Sequence, residues 1–243
     1  MQNEIELPSP PPLEDWIREQ SVALFLDFDG TLVEIAETPE GIQVSDDLPV
    51  RLEHLSAGIG GRLALVTGRA LSDIHSHLGA NSLLIVGSHG AEFSDAADKG
   101  VTLSNATLDE IAPLLAQWPG LLLESKPHGI AIHYRQEPAA EPVVLTIMQQ
   151  VAEWEGLSVR RGKMVVELGP ANVNKGWAVT LLMAQPPFIG AMPIFIGDDV
   201  TDEDGFAAAE AAGGFGILVG SARATAARYR LKTIQEVYHW LGL

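Results

Sequence analysis

Hydrophobic positions along this chain follow one rhythm at its two ends and another in its middle. Val22–Leu26, Arg62–Val66 and Leu83–Val86 are short runs, VALFL, RLALV and LLIV, apolar throughout but for Arg62 at the start of the second. Runs this short, with no polar alternation, predict strands buried on both faces. Between them, residues 46–57 and Ala70–Leu78 carry apolar positions at helical spacing. Strands alternating with helices predict a parallel sheet covered on both sides. From Asn174 the same rhythm resumes, with a helix to Met183, a strand at Pro193–Ile196, a helix over 203–211, a strand at Gly216–Val219 and terminal helices.

The middle reads differently. Residues 107–118 and 141–154 are helical in pattern. Leu121–Ser125 and Ile130–Tyr134 are strand-like and flank a Pro-His-Gly turn, and Leu157–Arg160 with Met164–Leu168 make a second hairpin-like pair. Hairpins mixed with helices predict an α+β unit rather than a parallel one. The fold expected is therefore α/β: a Rossmann-like parallel-sheet core from residues 1–95 and 172–243, with an α+β domain inserted at 96–171. Residues 1–20 form a leader whose PSPPP segment, 8–12, is stiff and extended before a short helix to about Gln20.

Composition narrows the function. The net charge is −17, with 15 Lys and Arg against 32 Asp and Glu. That balance argues against nucleic acid as a partner, because its binding rests largely on cations that neutralise phosphates. An anionic small substrate would need a locally positive site. Lysine positions are thus informative, and there are only five, at 99, 126, 163, 175 and 232. There is no apolar run of ~18 residues to span a bilayer and no basic, apolar start of a signal peptide. Together with zero cysteines, this predicts a cytoplasmic protein with no membrane partner; a monomer is the expected state.

Four segments at strand ends or helix starts carry candidate chemistry, since open α/β sheets bind ligands at the carboxyl ends of their strands. Asp27-Phe28-Asp29-Gly30 follows the first strand. Carboxylates two apart on extended backbone face one side, so Asp27 could attack a phosphoryl group while Asp29 handles the proton; an ordinary Asp-Gly turn reads equally from the pair alone. Thr67-Gly68-Arg69 offers a hydroxyl, backbone N–H groups and a cation to phosphoryl oxygens, or merely a helix cap. Lys175, after Asn174, is either a point charge entering the site or a solvated lysine. Asp198, Asp199, Asp202, Glu203 and Asp204 crowd one loop; a hard divalent cation would relieve their repulsion, although a helix dipole accounts for the last three.

Taken together and in this order, the segments resemble the haloacid dehalogenase-like phosphatase superfamily: DFDGTL, Thr67, Lys175 and GDDVTD match its four motifs. The resemblance implies Asp27 as nucleophile and Asp29 as general acid and base, with Thr67 and Lys175 on the phosphoryl oxygens. It also implies Mg²⁺ held by the Asp27 side chain, the Asp29 carbonyl and Asp198, supported by Asp199 and Asp202, and an insert that acts as a cap over the site. A narrower similarity, over residues 22–240, is to the trehalose-6-phosphate phosphatase family. It is carried by DFDGTLVEI, VTGR, VGSHGAE, LESKPHGIAIHYR, GKMVVELGP, NKGWA and FIGDDVTDEDGF. That similarity implies hydrolysis of a phosphosugar, trehalose 6-phosphate, with Glu124, Lys126 and Glu167 on the sugar hydroxyls and Lys163, Gly68, Arg69 and His89 also lining the site. Glu124 and Lys126 read equally as a solvated strand pair, His133 as structural, and Arg135 as an anchor of its hairpin. Other phosphosugars, such as sucrose 6-phosphate or a mannosyl phosphoglycerate, remain open as substrates, as does a non-catalytic sugar-phosphate sensor.

Overall fold

The apolar runs become strands because each lies between two hydrophobic layers. In the computed structural model, which describes residues 7–36, 38, 41–79, 81–94, 105–126, 129–170 and 173–243, the chain divides into two compact units. One comprises Met1–Asp95 with Asn174–Leu243, and the other Ala96–Val173.

The first unit begins with helix α1 (Leu13–Glu19) and continues through strand β1 (Val22–Leu26), α2 (Leu48–Gly58), β2 (Leu63–Val66), α3 (Leu71–Leu78), β3 (Leu84–Gly87) and β4 (Glu92–Phe93). Past the insert it is completed by α6 (Lys175–Met183), β9 (Met192–Gly197), α7 (Glu203–Ala211), β10 (Phe215–Val219), β11 (Tyr229–Leu231) and α8 (Ile234–Leu241). Its seven strands are ordered β11-β10-β9-β1-β2-β3-β4. All neighbours are parallel except β3 and β4. Alternate residues of β1 and β9 enter different cores. Leu24, Leu26, Ile194 and Ile196 pack with Leu48, Leu52, Ile74 and Val237 from α2, α3 and α8. Phe25 and Phe195 pack with Val179, Leu182 and Phe206 from α6 and α7. A strand filled on both faces has no polar position to show, which is why period-two alternation is missing from its sequence.

Two short strands, β4 and β11, escape the hydrophobic pattern, and the chain ends in β11 and one helix rather than in terminal helices alone. The proline leader has a structural use. Pro8 accepts a hydrogen bond from the Arg230 N–H on β11, and Pro11 accepts one from the Trp240 indole. Donor-free prolines laid along an edge strand cover it without offering a further edge.

The second unit holds α4 (Asn105–Gln117), β5 (Leu122–Lys126), β6 (Gly129–His133), α5 (Glu141–Glu155), β7 (Leu157–Gly162) and β8 (Val165–Pro170). Its four strands pair antiparallel in the order β5-β6-β8-β7. Ile130, Ile132, Val166 and Leu168 meet Ile111, Val144, Met148 and Val151 of the two helices on one face. The intervening positions, Glu124, Ala131, Glu167 and Arg160, stand directly opposite one another across the four strands. Directly opposed residues share a face, so these form one row on the side away from the helices. His128 and Lys99 lie outside the described residues.

Candidate active site

Asp27 is the residue after β1, and its N–H donates to the Ile196 carbonyl of β9 at 2.9 Å, extending the ladder by one step. Thr67 does the same after β2, donating to Val86 at 2.9 Å. Both side chains thus stand at the carboxyl edge of the sheet, as does the acidic loop that follows β9. Asp27 is 4% exposed, Thr67 and Asp202 are fully buried, and Lys175 is 3% exposed.

The centre of the site is an ionic network. Lys175 Nζ donates to Asp27 Oδ1 at 2.7 Å and to Asp202 Oδ1 at 2.6 Å. Thr31 Oγ1 donates to the other oxygen of Asp27 at 3.3 Å. The lysine is aimed by its helix: Asn174 is the N-cap of α6 and its side chain accepts the Trp177 N–H at 2.7 Å. Burial alone would lower the Lys175 pKa, but the Asp202 and Asp27 carboxylates more than reverse this and hold the ammonium above its ordinary range. Burial pushes the Asp27 carboxyl well up; Lys175 opposes that rise, while Asp202 and Asp198 add to it.

Asp27, Asp198 and Asp202 each place an oxygen within 4.8 Å of the others. Three carboxylates beside one ammonium leave the cluster short of positive charge. Oxygen-only ligands at this spacing fit a hard divalent cation such as Mg²⁺, which uses few carboxylates and keeps substrate and water ligands. Gly30 makes the approach possible. Its φ is +79°, and a Cβ there would lie 2.3 Å from Asp198 Oδ2.

The acidic loop distributes its roles otherwise than expected from its order. Asp202, attributable from sequence to a helix dipole and by resemblance to the support of the metal, is the fully buried partner of Lys175. Asp199, expected to support the metal, turns its side chain to the Val200 N–H at 2.8 Å, and its own N–H donates to Asp202 Oδ2 at 2.9 Å. This is a capping box over a 3₁₀ turn; Asp199 therefore acts on the cluster through Asp202.

Asp29 is held elsewhere. Arg69 Nε and Nη2 donate to its two carboxylate oxygens at 2.6 and 2.8 Å, and Arg69 Nη1 donates to Asp73 Oδ2 at 2.5 Å. Expected on substrate oxygens, the guanidinium is instead engaged by two carboxylates, which raise its pKa against the opposing effect of burial. Thr67 is not the cap of α3: its hydroxyl accepts the Arg69 N–H at 3.1 Å. The first turn of α3 is served by Glu92, whose carboxylate accepts from Leu71 N at 2.7 Å and from Ser88 Oγ at 2.6 Å. Glu92, Thr31 and Asp73 were not singled out from sequence. Thr31 and Glu92 left a trace there, as the threonine of DFDGTL and the acid ending VGSHGAE.

His89 is buried, with a left-handed φ of 57°. Its N–H donates to the Thr67 carbonyl at 2.9 Å, and its ring lies so close that a Cβ on Gly68 would come within 2.6 Å of Nε2. Gly68 is thus required by the imidazole stacked on it. In the other unit, Glu124 Oε2 lies 2.9 Å from His133 Nε2, Glu167 is buried, Lys163 and Arg135 are exposed, and the Lys126 side chain lies outside what is described.

Phosphoric monoester hydrolases of the haloacid dehalogenase-like class share this arrangement, with a carboxylate cluster where the central parallel strands end and a separate α/β insert. Within that class the chain belongs to the trehalose-phosphatase family, whose model matches residues 25–235. It is 37% identical over 228 residues to a trehalose-6-phosphate phosphatase of Escherichia coli (strain K12), covering 91% of this chain and 85% of that one. A probable trehalose-phosphate phosphatase of Sinorhizobium fredii is 41% identical over 220 residues, covering 86% and 79%. The fold is similar to that of the C-terminal domain of C. albicans trehalose-6-phosphate phosphatase, with a TM-score of 0.83, 22% identity and 97% of both chains covered. Among the described residues no helix is long and apolar enough to cross a membrane.

Proposed function

We propose that the chain hydrolyses trehalose 6-phosphate to trehalose and inorganic phosphate through an aspartyl-phosphate on Asp27. Asp27 attacks phosphorus in line with the sugar oxygen, and that P–O bond breaks as Asp29 gives its proton to the leaving oxygen. Asp29 then takes a proton from the water that attacks the acyl phosphate, which releases phosphate and restores Asp27. Two of the three Lys175 N–H groups hold Asp27 and Asp202, so the third remains to meet a phosphoryl oxygen with the Thr67 hydroxyl. Asp27, Asp198 and Asp202, with the Asp29 carbonyl, would hold Mg²⁺, which neutralises phosphoryl charge when bound.

The sugar would be recognised by the polar row of the insert, Glu124 and Glu167 with Lys126 and Lys163. Gly68 and His89 would line the phosphate side. Charged groups on short strands suit a substrate rich in hydroxyls, and such a site rejects analogues that lack them. We take the enzyme to act as a monomer in the cytoplasm, a reducing compartment with which its lack of cysteine agrees.

The observation that carries this reading is the buried Lys175 bridging Asp27 and Asp202 beside Asp198. An ammonium at 3% exposure with this company has no structural need for so many acids, whereas phosphoryl transfer needs them all. Phosphate release from a panel of trehalose 6-phosphate, sucrose 6-phosphate and mannosyl-3-phosphoglycerate, with and without Mg²⁺, tests it. The expected result is a metal-dependent kcat/KM highest for trehalose 6-phosphate, abolished in Asp27→Asn with the fold intact by circular dichroism. Near-normal release from that variant would refute the mechanism; a higher kcat/KM on another sugar would refute the substrate.

A further inference from the structure

The Arg69 side chain is 9% exposed and lies between two acids from different elements. Toward the sheet edge it meets both oxygens of Asp29. Behind it stands Asp73, one turn along α3, and His77 Nε2 lies 3.5 Å from the far oxygen of Asp73. The Arg69 backbone is pinned as well: its N–H donates to Thr67 Oγ1 and its carbonyl accepts the Ser88 N–H at 2.8 Å. A guanidinium fork matched to two carboxylate oxygens fixes the plane of that carboxylate as well as its distance. Asp29 has a third of its side chain exposed, so packing alone does not fix its carboxylate.

We infer that Arg69, backed by Asp73, is a positioning residue for Asp29, holding the carboxyl where it serves the leaving oxygen, and that Arg69 does not bind the phosphoryl group. This rests on Asp29 being the general acid, as proposed above. A sugar alkoxide is a poor leaving group and needs that proton, whereas an aryl phosphate departs as a stabilised phenolate and needs little help. A misplaced Asp29 therefore slows expulsion of the alcohol selectively for the sugar phosphate, while its part in activating water against the acyl phosphate is common to both substrates. Loss of a phosphate contact, or general damage to the fold, slows both.

The experiment measures the single-turnover rate of alcohol release, as trehalose from trehalose 6-phosphate or p-nitrophenol from p-nitrophenyl phosphate, and the half-saturating substrate concentration. It compares wild type, Arg69→Lys, Asp73→Asn and Asp29→Asn at saturating Mg²⁺. Alcohol release precedes water attack and so isolates the proton-donating step. Lysine keeps the charge and loses the fork. Asp73→Asn leaves the Arg69 fork on Asp29 in place and removes the charge behind it, so it reports even where an Arg69 variant fails to fold. General acid catalysis contributes ~10²–10⁴-fold. Arg69→Lys is expected to lower the rate of trehalose release by at least ~10-fold, and Asp73→Asn by a smaller factor. Neither should change the rate of p-nitrophenol release or either half-saturating concentration more than about threefold, small beside that contribution. Equal losses on both substrates, a rise in both half-saturating concentrations or a gain in the rate of trehalose release would overturn the inference. Asp29→Asn separates the two levels. If it is selective and the other variants are not, only the role of Arg69 falls. If Asp29→Asn is itself unselective, the general-acid reading falls and the inference with it.

Discussion

Gly30 shows how tightly one position can be constrained. Its φ of +79° lies in the left-handed region, and the space a Cβ would fill is already held by the Asp198 carboxylate. Alanine there must strain the backbone, at a cost of ~1–3 kcal/mol, and also push Asp198 away from Asp27 and Asp202. Gly30→Ala is therefore expected to raise the Mg²⁺ concentration for half-maximal activity by more than ~10-fold, each such factor being ~1.4 kcal/mol of lost cation binding. A Mg²⁺ titration of phosphate release measures this; an unchanged midpoint would show that Asp198 takes no part in holding the ion. At this scale much of the candidate site could be read from sequence, because Asp27, Thr67 and Asp198 sit where strands end and Lys175 where a helix begins. What could not be read was the division of labour among close acids. Asp199 and Asp202 lie three apart in one loop, and only the capping turn decides that one faces inward to Lys175 and the other to the backbone.

Elements that are long and apolar were legible; those made by contacts between loops were not. β4 and β11 have two and three residues, too few for a period, and exist because β3 and β10 offer them a free edge. Glu92, at the start of β4, accepts hydrogen bonds from Leu71 at the first turn of α3 and from Ser88 in a turn where Ser88 and His89 both have positive φ. Neither residue is glycine, so the turn is strained and depends on its surroundings to persist. It also carries the backbone bonds to Thr67 and Arg69. Glu92→Gln keeps the shape but removes the charge from both bonds, and its amide nitrogen can face Ser88 only if that hydroxyl turns from donor to acceptor. Buried charge-assisted bonds contribute ~1.5–3 kcal/mol. A loss of stability of that size is expected for the variant, read as a lower urea midpoint at constant m-value. A shift within the error of wild type would mean that the turn is held by its other contacts.

The whole molecule joins two units of different charge logic, and its function requires each to be judged separately. The first holds the buried ionic network proposed for phosphoryl chemistry. On that proposal its groups address the phosphoryl oxygens and carry no preference for one alcohol over another. Discrimination then needs groups that can address hydroxyls, and the row Glu124, Ala131, Glu167 and Arg160 sets three charged side chains on one face of the insert's sheet. Alanine at its second place leaves room between the two acids, and the Glu124 carboxylate is oriented by His133. If this row reads the sugar, Glu124→Ala and Glu167→Ala remove interactions available only to a substrate with hydroxyls. Each lost bond to a charged group is worth ~1.5–3 kcal/mol, or roughly one to two powers of ten in kcat/KM. The loss should fall on trehalose 6-phosphate and leave p-nitrophenyl phosphate within about threefold of wild type, since a substrate without sugar hydroxyls never made those bonds. Parallel losses on both substrates would place the row in the support of the insert itself, and the origin of specificity would then have to be sought in the first unit.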